Sequence, residues 1–230
     1  MKRKRMVKIR LSLALLLCAG TVLSFVLGIG LASGAFVKER VVTKTKEIKQ
    51  IDANNVFLGD SLTDYFDLDA AFPDYSVVNS GVAGNTTDNV LADLNNRVMI
   101  YNPSQVFVWL GTNDLRDGKT PQQTIESLQE IIDQIQTERS LAKITLISLI
   151  PVNAQVNPAT VGLRSNDHIQ EVNQGLQEIA KEQELDYIDL FSELKDEQGN
   201  LKSEYTVDGL HLSDAGYQVV LGIIEPYLDA

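Results

Sequence analysis

The chain has 230 residues, of which 44% are hydrophobic, and this favours a single globular domain with a sizeable core. The formal net charge at pH 7 is -11, and six of the 20 basic residues lie before Val37, where no acidic residue occurs. The rest of the chain is therefore strongly acidic. We expect no nucleic-acid partner, because no basic surface is available to neutralise phosphates.

Residues 1–37 combine a basic N-terminus with a long apolar segment. The basic residues end at Arg10, and the 27 residues from Leu11 to Val37 carry no charge. A membrane-spanning helix needs about 20 apolar residues, whereas the apolar part of a cleaved signal has about 7 to 15. The length favours a retained membrane anchor, with cleavage near residues 32–34 as the alternative. Either way, we expect the rest of the chain on the extracytoplasmic side, anchored or secreted.

The segment from Lys38 to Gln50 is charged and lacks the periodicity of a core element, so it is predicted to be a stalk. Residues 51–230 form the predicted domain. Cys18 is the only cysteine and lies in the apolar segment, so this domain contains no disulfide.

Five short apolar runs within the domain are predicted strands, each followed by a polar or glycine-containing loop. They are Asn55 to Leu58, Ser76 to Asn79, Val106 to Leu110, Ile144 to Ile150 and Tyr187 to Leu190. The third run is apolar without alternation, as expected for a parallel strand that is covered by helices on both faces.

Between the strands, apolar residues recur at helical spacing. The three clearest faces are Val90, Leu94 and Val98; Ile125, Leu128, Ile132 and Ile135; and Ile169, Val172, Leu176 and Ile179. Alternating strands and helices predict a three-layer α/β/α fold with a five-stranded parallel sheet. Ligand sites in such folds lie beyond the carboxyl ends of the strands.

Polar signals follow the strands at these positions. Ser61 lies in "GDS" after the first strand, Gly81 in "NSGVAG" after the second, and Asn113 in "GTND" after the third. Asp208 and His211 lie in "DGLH", shortly before the last helix. The order of these signals predicts that they meet at one edge of the sheet.

The residue types point to acyl transfer. A serine hydroxyl becomes a nucleophile when an imidazole accepts its proton, and the imidazole needs a carboxylate to hold its tautomer. Ser61, His211 and Asp208 can fill these roles. The developing oxyanion needs hydrogen-bond donors, and we expect them to be the backbone N–H groups of Ser61 and Gly81 and the side-chain amide of Asn113.

Four sequence blocks around these residues resemble those of the SGNH hydrolases, also called GDSL-type lipases and acylhydrolases. The blocks are "GDSLT", "NSGVAGNTT", "GTNDL" and "DGLHLSDAGY", they appear in family order, and the branch they look closest to is the platelet-activating-factor acetylhydrolase-like one. The resemblance implies a flavodoxin-like sheet, Ser61 as nucleophile, Gly81 and Asn113 as oxyanion donors, and Asp208 and His211 as the remaining triad members. Related sequences often carry an acid where this chain has Asn85, so a role for that acid is not transferred.

Other interpretations of single residues remain open. Alone, Ser61 is equally typical of a helix cap. His168 is the rival base, but it begins a helix without an arranged acid partner. Asp60 is expected to brace the turn at Ser61, and Asp114 to order the loop around Asn113.

Residues near the site have less specific expectations. Trp109 is expected in the core. Pro151 and Asn153 are candidates for the acyl or alcohol pocket, because they follow the fourth strand.

The functional hypothesis is a serine esterase acting on short acyl esters of a small molecule, glycan or lipid. O-acetylated carbohydrate and lysophospholipid are the expected substrates. No cofactor and no metal are expected, since two histidines and a single cysteine offer no zinc constellation. The alternatives are an O-acyltransferase acting on envelope glycans and a non-catalytic glycan-binding module. The sequence leaves the oligomeric state open.

Overall fold

The structure, a computed structural model, describes residues 54–228. The predicted apolar segment and stalk lie outside the described residues. Within residues 54–228, no helix is both long and apolar enough to cross a membrane.

The described residues contain one sheet of five strands, all of which pair in parallel. Its strands are Asn55–Gly59 (β1), Val77–Gly81 (β2), Gln105–Trp109 (β3), Lys143–Ile147 (β4) and Asp186–Ile188 (β5). Their order in space is β2-β1-β3-β4-β5, the flavodoxin-like arrangement. The predicted five-stranded parallel sheet is confirmed.

The helices of the described residues differ widely in length. They are Ser61–Asp64 (α1), Leu68–Ala71 (α2), Thr87–Arg97 (α3), Thr112–Arg116 (α4), Pro121–Glu138 (α5), Pro158–Val161 (α6), Asn166–Glu182 (α7), Leu190–Leu194 (α8) and Asp214–Ile224 (α9). The three predicted apolar faces lie on α3, α5 and α7. A capping box begins α5, with the Thr120 side chain accepting from Gln123 N–H.

Side-chain alternation along the strands divides the core between the two faces of the sheet. On β3, Val106 and Val108 belong to the cluster that packs against α3, α5 and α7. Phe107 and Trp109 belong to the opposite cluster, which includes residues of α1, α2, α8 and α9. This arrangement is the predicted three-layer fold, and Trp109 is buried in its core as expected.

All five strand ends differ from the sequence prediction, β1 and β3 by one residue and the others by two or three. The fifth run was expected to reach Leu190, but β5 ends at Ile188, and Leu190 begins α8, which Asp189 caps. The fourth was expected to reach Ile150, but β4 ends at Ile147 because β5 has only three residues to pair with. Leu149 is buried all the same, and its N–H donates to the Asn173 side chain instead of to a strand. The second strand extends two residues beyond its predicted end at Asn79 and finishes at Gly81. Apolar periodicity shows burial, while strand length depends on the neighbouring strand.

The strand order places the candidate residues together. The chain leaves β1 toward β2 on one side and returns through β3 on the other, so the crevice between these connections opens at the carboxyl ends of β1, β2 and β3. Ser61 follows β1, the turn after Gly81 follows β2, and Asn113 follows β3.

Candidate active site

Ser61 is the first residue of α1 and does not cap it. The cap is Asp60, whose Oδ1 accepts the N–H of Leu62 at 3.0 Å. The Ser61 side chain is left free for other contacts, and the residue is buried apart from 5% of its surface. On the other side of α1, the Tyr217 hydroxyl donates to the Leu62 carbonyl at 2.9 Å and holds the helix against α9.

Ser61, His211 and Asp208 form one hydrogen-bonded chain. The Ser61 Oγ lies 3.1 Å from His211 Nε2, and His211 Nδ1 lies 2.7 Å from Asp208 Oδ2. Both distances are within the range for hydrogen bonds between a nucleophile, its base and the orienting acid. A sequence separation of 150 residues between Ser61 and His211 is bridged by the fold.

The Asp208 carboxylate is held by its own loop. Its Oδ1 accepts the N–H groups of Leu210 and His211 at 3.1 and 2.8 Å, which leaves Oδ2 for the imidazole. Partial burial opposes ionisation, but the bond from the His211 ring and the two backbone bonds outweigh it and lower the Asp208 pKa. Asp208 is therefore ionised at neutral pH, as an acid that orients an imidazole must be.

Gly81 does not fit its predicted role as an oxyanion donor. Its N–H donates to Asn79 Oδ1 at 2.9 Å, so the group is used inside the protein. A Cβ at this position would lie 2.2 Å from the Asp64 backbone nitrogen. The glycine is required for close packing of β2 against α1, and the prediction that its N–H faces the oxyanion is corrected.

The next glycine in the same block, Gly84, lies in the turn beside the site. It has a φ of 82°, a conformation that favours glycine. Its N–H donates to no group among residues 54–228. Asn113 Nδ2 donates to the carbonyl of Asn85 at 2.9 Å, which places this turn against Asn113. The motif "NSGVAG" contains both Gly81 and Gly84, and only the geometry of the turn shows which of the two has an N–H available to an oxyanion.

Buried arginines hold the loops that carry these groups, and the sequence analysis missed them. Arg97 donates to the carbonyls of Gly59 and Ser80 and to Asn85 Oδ1, joining the ends of β1 and β2 to the turn. Arg164 donates to Asn113 Oδ1 at 2.7 Å. Neither arginine lies in a recognisable motif, because its partners include backbone carbonyls of other segments, those of Gly59 and Ser80 for Arg97 and that of Thr112 for Arg164.

The remaining candidates have structural contacts. Asp114 accepts from Thr87 and pairs with Lys119 at 3.0 Å, which ties the Asn113 loop to α3 as expected. Asn153 donates to the Leu201 carbonyl at 2.8 Å, and its own N–H donates to the Gly209 carbonyl. The backbone of Asn153 thus braces the loop that carries Asp208, while its side chain holds the segment at Leu201.

His168 lies at the exposed start of α7, where its backbone N–H donates to the Ser165 side chain, and its imidazole makes no hydrogen bond to any of residues 54–228. No three side chains of the His, Cys, Asp or Glu types lie close enough to bind a metal ion within residues 54–228.

Asp60 is fully buried beside Ser61, and burial raises its pKa from 3.8 to about 6, against the opposing hydrogen bond from Leu62 and the charge of Arg164. The folded state therefore binds a proton more tightly than the unfolded state does. Stability from this group is complete below about pH 4 and is lost as the pH rises through 6.

Asp60→Asn is accordingly expected to stabilise the protein at pH 7.5, since the amide keeps the acceptor for Leu62 and never ionises. One pKa unit corresponds to about 1.4 kcal/mol, so the ionisation of Asp60 is expected to lower the wild type's free energy of unfolding by roughly 3 kcal/mol between pH 4 and 7.5. Urea unfolding at pH 4 and 7.5 measures it. The control is Asp67→Asn, which also replaces a capping carboxylate with an amide, but at the exposed cap of α2. Equal pH dependence in wild type and Asp60→Asn would contradict the expectation.

The family model described as GDSL-like Lipase/Acylhydrolase matches residues 57–219. The chain belongs to this family. The resemblance to SGNH hydrolases that the four sequence blocks indicated is confirmed, and the matched segment begins in β1 and ends in α9.

Two curated relatives of this GDSL-like protein differ in how much of their length it covers. An N-acylneuraminate cytidylyltransferase of Escherichia coli O18:K1:H7 is 31% identical over 190 residues, which are 80% of this chain but 42% of that protein. The platelet-activating factor acetylhydrolase IB subunit alpha2 of Rattus norvegicus is 27% identical over 177 residues, 74% of each chain. The first match thus concerns less than half of the relative.

A solved structure supports the same assignment. A Streptococcus pneumonia protein described in relation to platelet activating factor is 34% identical, with a TM-score of 0.74 over 80% of this chain and 87% of that one. The GDSL-like fold of residues 54–228 is therefore that of an acylhydrolase family, which supports a hydrolase.

Proposed function

We propose that the protein is a serine esterase in which Ser61 is the nucleophile, His211 the general base and Asp208 the residue that orients His211. The observation that carries the proposal is the hydrogen-bonded chain from Ser61 Oγ through His211 to Asp208, with distances of 3.1 and 2.7 Å. Its position at the carboxyl ends of β1 to β3 agrees with where ligands bind in this fold.

The first half of the reaction forms an acyl-enzyme. His211 Nε2 takes the proton of Ser61 as Oγ attacks the ester carbonyl carbon, and Asp208 stabilises the resulting imidazolium. The tetrahedral intermediate collapses when His211 passes this proton to the departing alcohol oxygen. The acyl group is then held on Ser61 as an ester.

The second half releases the acid. Water attacks the acyl carbonyl while His211 takes one of its protons, and Ser61 leaves with that proton restored to Oγ. A sugar hydroxyl in place of water would make the same site an acyltransferase, and product analysis separates these two outcomes.

Three donors are proposed for the oxyanion: the N–H of Ser61, the N–H of Gly84 and the second hydrogen of Asn113 Nδ2. The two backbone groups make no hydrogen bond among the described residues. Asn113 Nδ2 uses one of its hydrogens on the Asn85 carbonyl, so one remains. Removing a single oxyanion donor typically lowers kcat by about 100- to 1,000-fold.

Short acyl esters are the proposed substrates, with O-acetylated carbohydrate or lysophospholipid as the natural class. One relative is named as an acetylhydrolase, and acetyl is a short acyl group. Tyr65 is 56% exposed, and its ring lies 5.4 Å from that of His211. Its aromatic face offers an apolar surface to the alcohol part of the ester.

Residues 1–37 are proposed to anchor the enzyme in the cell membrane with the domain outside the cytoplasm. The support is the charge pattern, with a basic end before a 27-residue uncharged segment. Protease treatment of intact cells distinguishes the two sides, since protection of the domain would contradict this placement.

Hydrolysis of p-nitrophenyl acetate, butyrate and palmitate by the full chain tests the activity, with Ser61→Ala as the blank. We expect turnover of acetate and butyrate that exceeds the blank and falls steeply for palmitate. Turnover confined to palmitate would overturn the short-chain assignment. Hydrolysis equal to the blank on all three esters would overturn the esterase and favour the glycan-binding alternative.

A further inference from the structure

Asn113 can serve the oxyanion in only one of its two amide orientations. The side-chain oxygen and nitrogen occupy similar space, so a rotation of 180° exchanges them, and only the nitrogen donates. In the structure Nδ2 faces the Asn85 carbonyl, and Oδ1 faces two guanidinium groups. In the reversed orientation, the amide hydrogens of Asn113 would face the N–H groups of the two arginines. Its oxygen would then face the carbonyl oxygen of Asn85.

The two guanidinium groups are not equivalent. Arg164 is 6% exposed, and it lies 2.7 Å from Asn113 Oδ1 through Nη2. Arg116 approaches the same oxygen at 3.1 Å, but it is partly exposed and is paired with Asp117 at 2.6 Å. Solvent and Asp117 therefore compete for Arg116, while Nη2 of Arg164 donates only to Asn113 Oδ1 within residues 54–228.

The other bonds of Arg164 leave it little freedom to move. Its Nε donates to the carbonyl and the hydroxyl of Thr112, at 3.0 and 3.1 Å. Its Nη1 donates to the carbonyls of Thr160 and Val161, at 3.1 and 2.9 Å. Arg164 thus joins the segment after β4 to the loop that carries Asn113, and its guanidinium plane is fixed from three sides.

A charged donor also changes the amide that it binds. Hydrogen bonds from an ionised group are about twice as strong as neutral ones, and they polarise the acceptor. Electron density drawn toward Oδ1 leaves the Nδ2 hydrogens more positive. The amide then becomes a better donor for a negatively charged oxygen.

We propose that Arg164 is a positioning residue for the reaction: it holds the Asn113 amide with Nδ2 toward the oxyanion and strengthens that donor. The inference rests on the proposed esterase function. Because Arg164 acts through Asn113, its effect belongs to the transition state and not to substrate binding.

The kinetic test is a double-mutant cycle between Arg164→Gln and Asn113→Ala. Arg164→Gln alone is expected to lower kcat for p-nitrophenyl acetate by about 30-fold, with KM within about twofold, as for partial loss of one oxyanion donor. In the Asn113→Ala background the same change is expected to lower kcat less than about threefold. Arg164→Lys keeps the positive charge but lacks the planar guanidinium group, so its kcat is expected to lie between those of wild type and Arg164→Gln.

The control is Arg139→Gln. Arg139 is also partly buried and donates to a backbone carbonyl, that of Met99, but it lies before the amino end of β4, at the opposite edge of the sheet. Its replacement is expected to lower thermal stability while kcat stays within about twofold of wild type. Full, multiplicative losses in the Arg164/Asn113 double variant would overturn the proposal, because the two residues would then act independently.

A second readout does not depend on activity. The side-chain amide hydrogens of Asn113, assigned by their disappearance in Asn113→Ala, are expected to exchange with water at least tenfold faster in Arg164→Gln than in the wild type. If the wild type shows no Ser61-dependent hydrolysis, the esterase function fails, and this exchange rate alone decides the positioning role. Unchanged exchange in Arg164→Gln would overturn it.

Discussion

Replacing Ser61 with alanine is expected to lower kcat for short esters by about 10,000-fold or more. The hydroxyl is the only protein group in the proposed mechanism that forms a covalent bond to the acyl carbon, and without it His211 has no protein nucleophile to deprotonate. His211→Ala is expected to have a similar effect. The double variant is expected to be no slower than either single one, since the two residues act as a unit. Steady-state kinetics with p-nitrophenyl acetate measures all three.

The control for Ser61→Ala is a true helix cap. Thr120 caps α5 by accepting the Gln123 N–H, and Thr120→Ala is expected to cost about 1 kcal/mol of stability while kcat is retained. Ser61→Ala is expected to lose activity and keep its stability, because Asp60 and not Ser61 caps α1. If Ser61→Ala lost stability and kept its activity, Ser61 would be a structural residue and the mechanism would be wrong.

Replacing Asp208 with asparagine is expected to lower kcat by about 10,000-fold while the loop keeps its shape. The amide retains an oxygen for the N–H groups of Leu210 and His211. Its NH2 group, however, faces His211 Nδ1 and favours the tautomer with the proton on Nε2. An imidazole in that form cannot accept the proton of Ser61. The kinetic assay at neutral pH measures the loss, since the lowered pKa of Asp208 keeps the wild-type carboxylate ionised there.

Asp196→Asn is the matched control for Asp208→Asn. Asp196 Oδ1 also accepts two backbone N–H groups, from Gln198 and Asn200, at 2.9 and 2.8 Å, but the bonds of this loop involve no imidazole. Its replacement is expected to leave kcat within about twofold of wild type. Near-wild-type activity in Asp208→Asn would show that His211 finds its tautomer without this carboxylate, and the proposed role of Asp208 would be wrong.

Much of the fold was predictable because burial leaves a periodic mark on the sequence. The faces at Val90 to Val98 and Ile169 to Ile179 repeat at helical spacing, and both lie against the sheet. The uninterrupted run in β3 predicted a strand that is covered on both faces, which is what the two clusters on either side of it show. Strand ends were less predictable, since pairing of β4 stops where β5 stops.

The candidate site was also predictable in part. Ser61 and Asn113 were identified from motifs at strand ends, where parallel strands bring their loops to one edge, and Asp208 and His211 from the motif before the last helix. The structure places Ser61, His211 and Asp208 in hydrogen-bonding contact. Gly81 was mistaken for the oxyanion donor because both glycines of its block fit the pattern. The direction of a backbone N–H depends on the turn and on its partner, here Asn79, and the residue letters do not record it.

The sequence by itself determined the sheet, the helices that cover it and the candidates for the reacting groups, because apolar periodicity and motif order are local properties of the chain. Only the tertiary structure decided which N–H groups are free and which way the Asn113 amide faces. Those properties depend on Arg97 and Arg164, whose guanidinium groups bind the backbone carbonyls of Gly59, Ser80 and Thr112, each at least 17 residues away in the chain. A backbone carbonyl is present at every residue, so the sequence carries no sign of which one an arginine will bind.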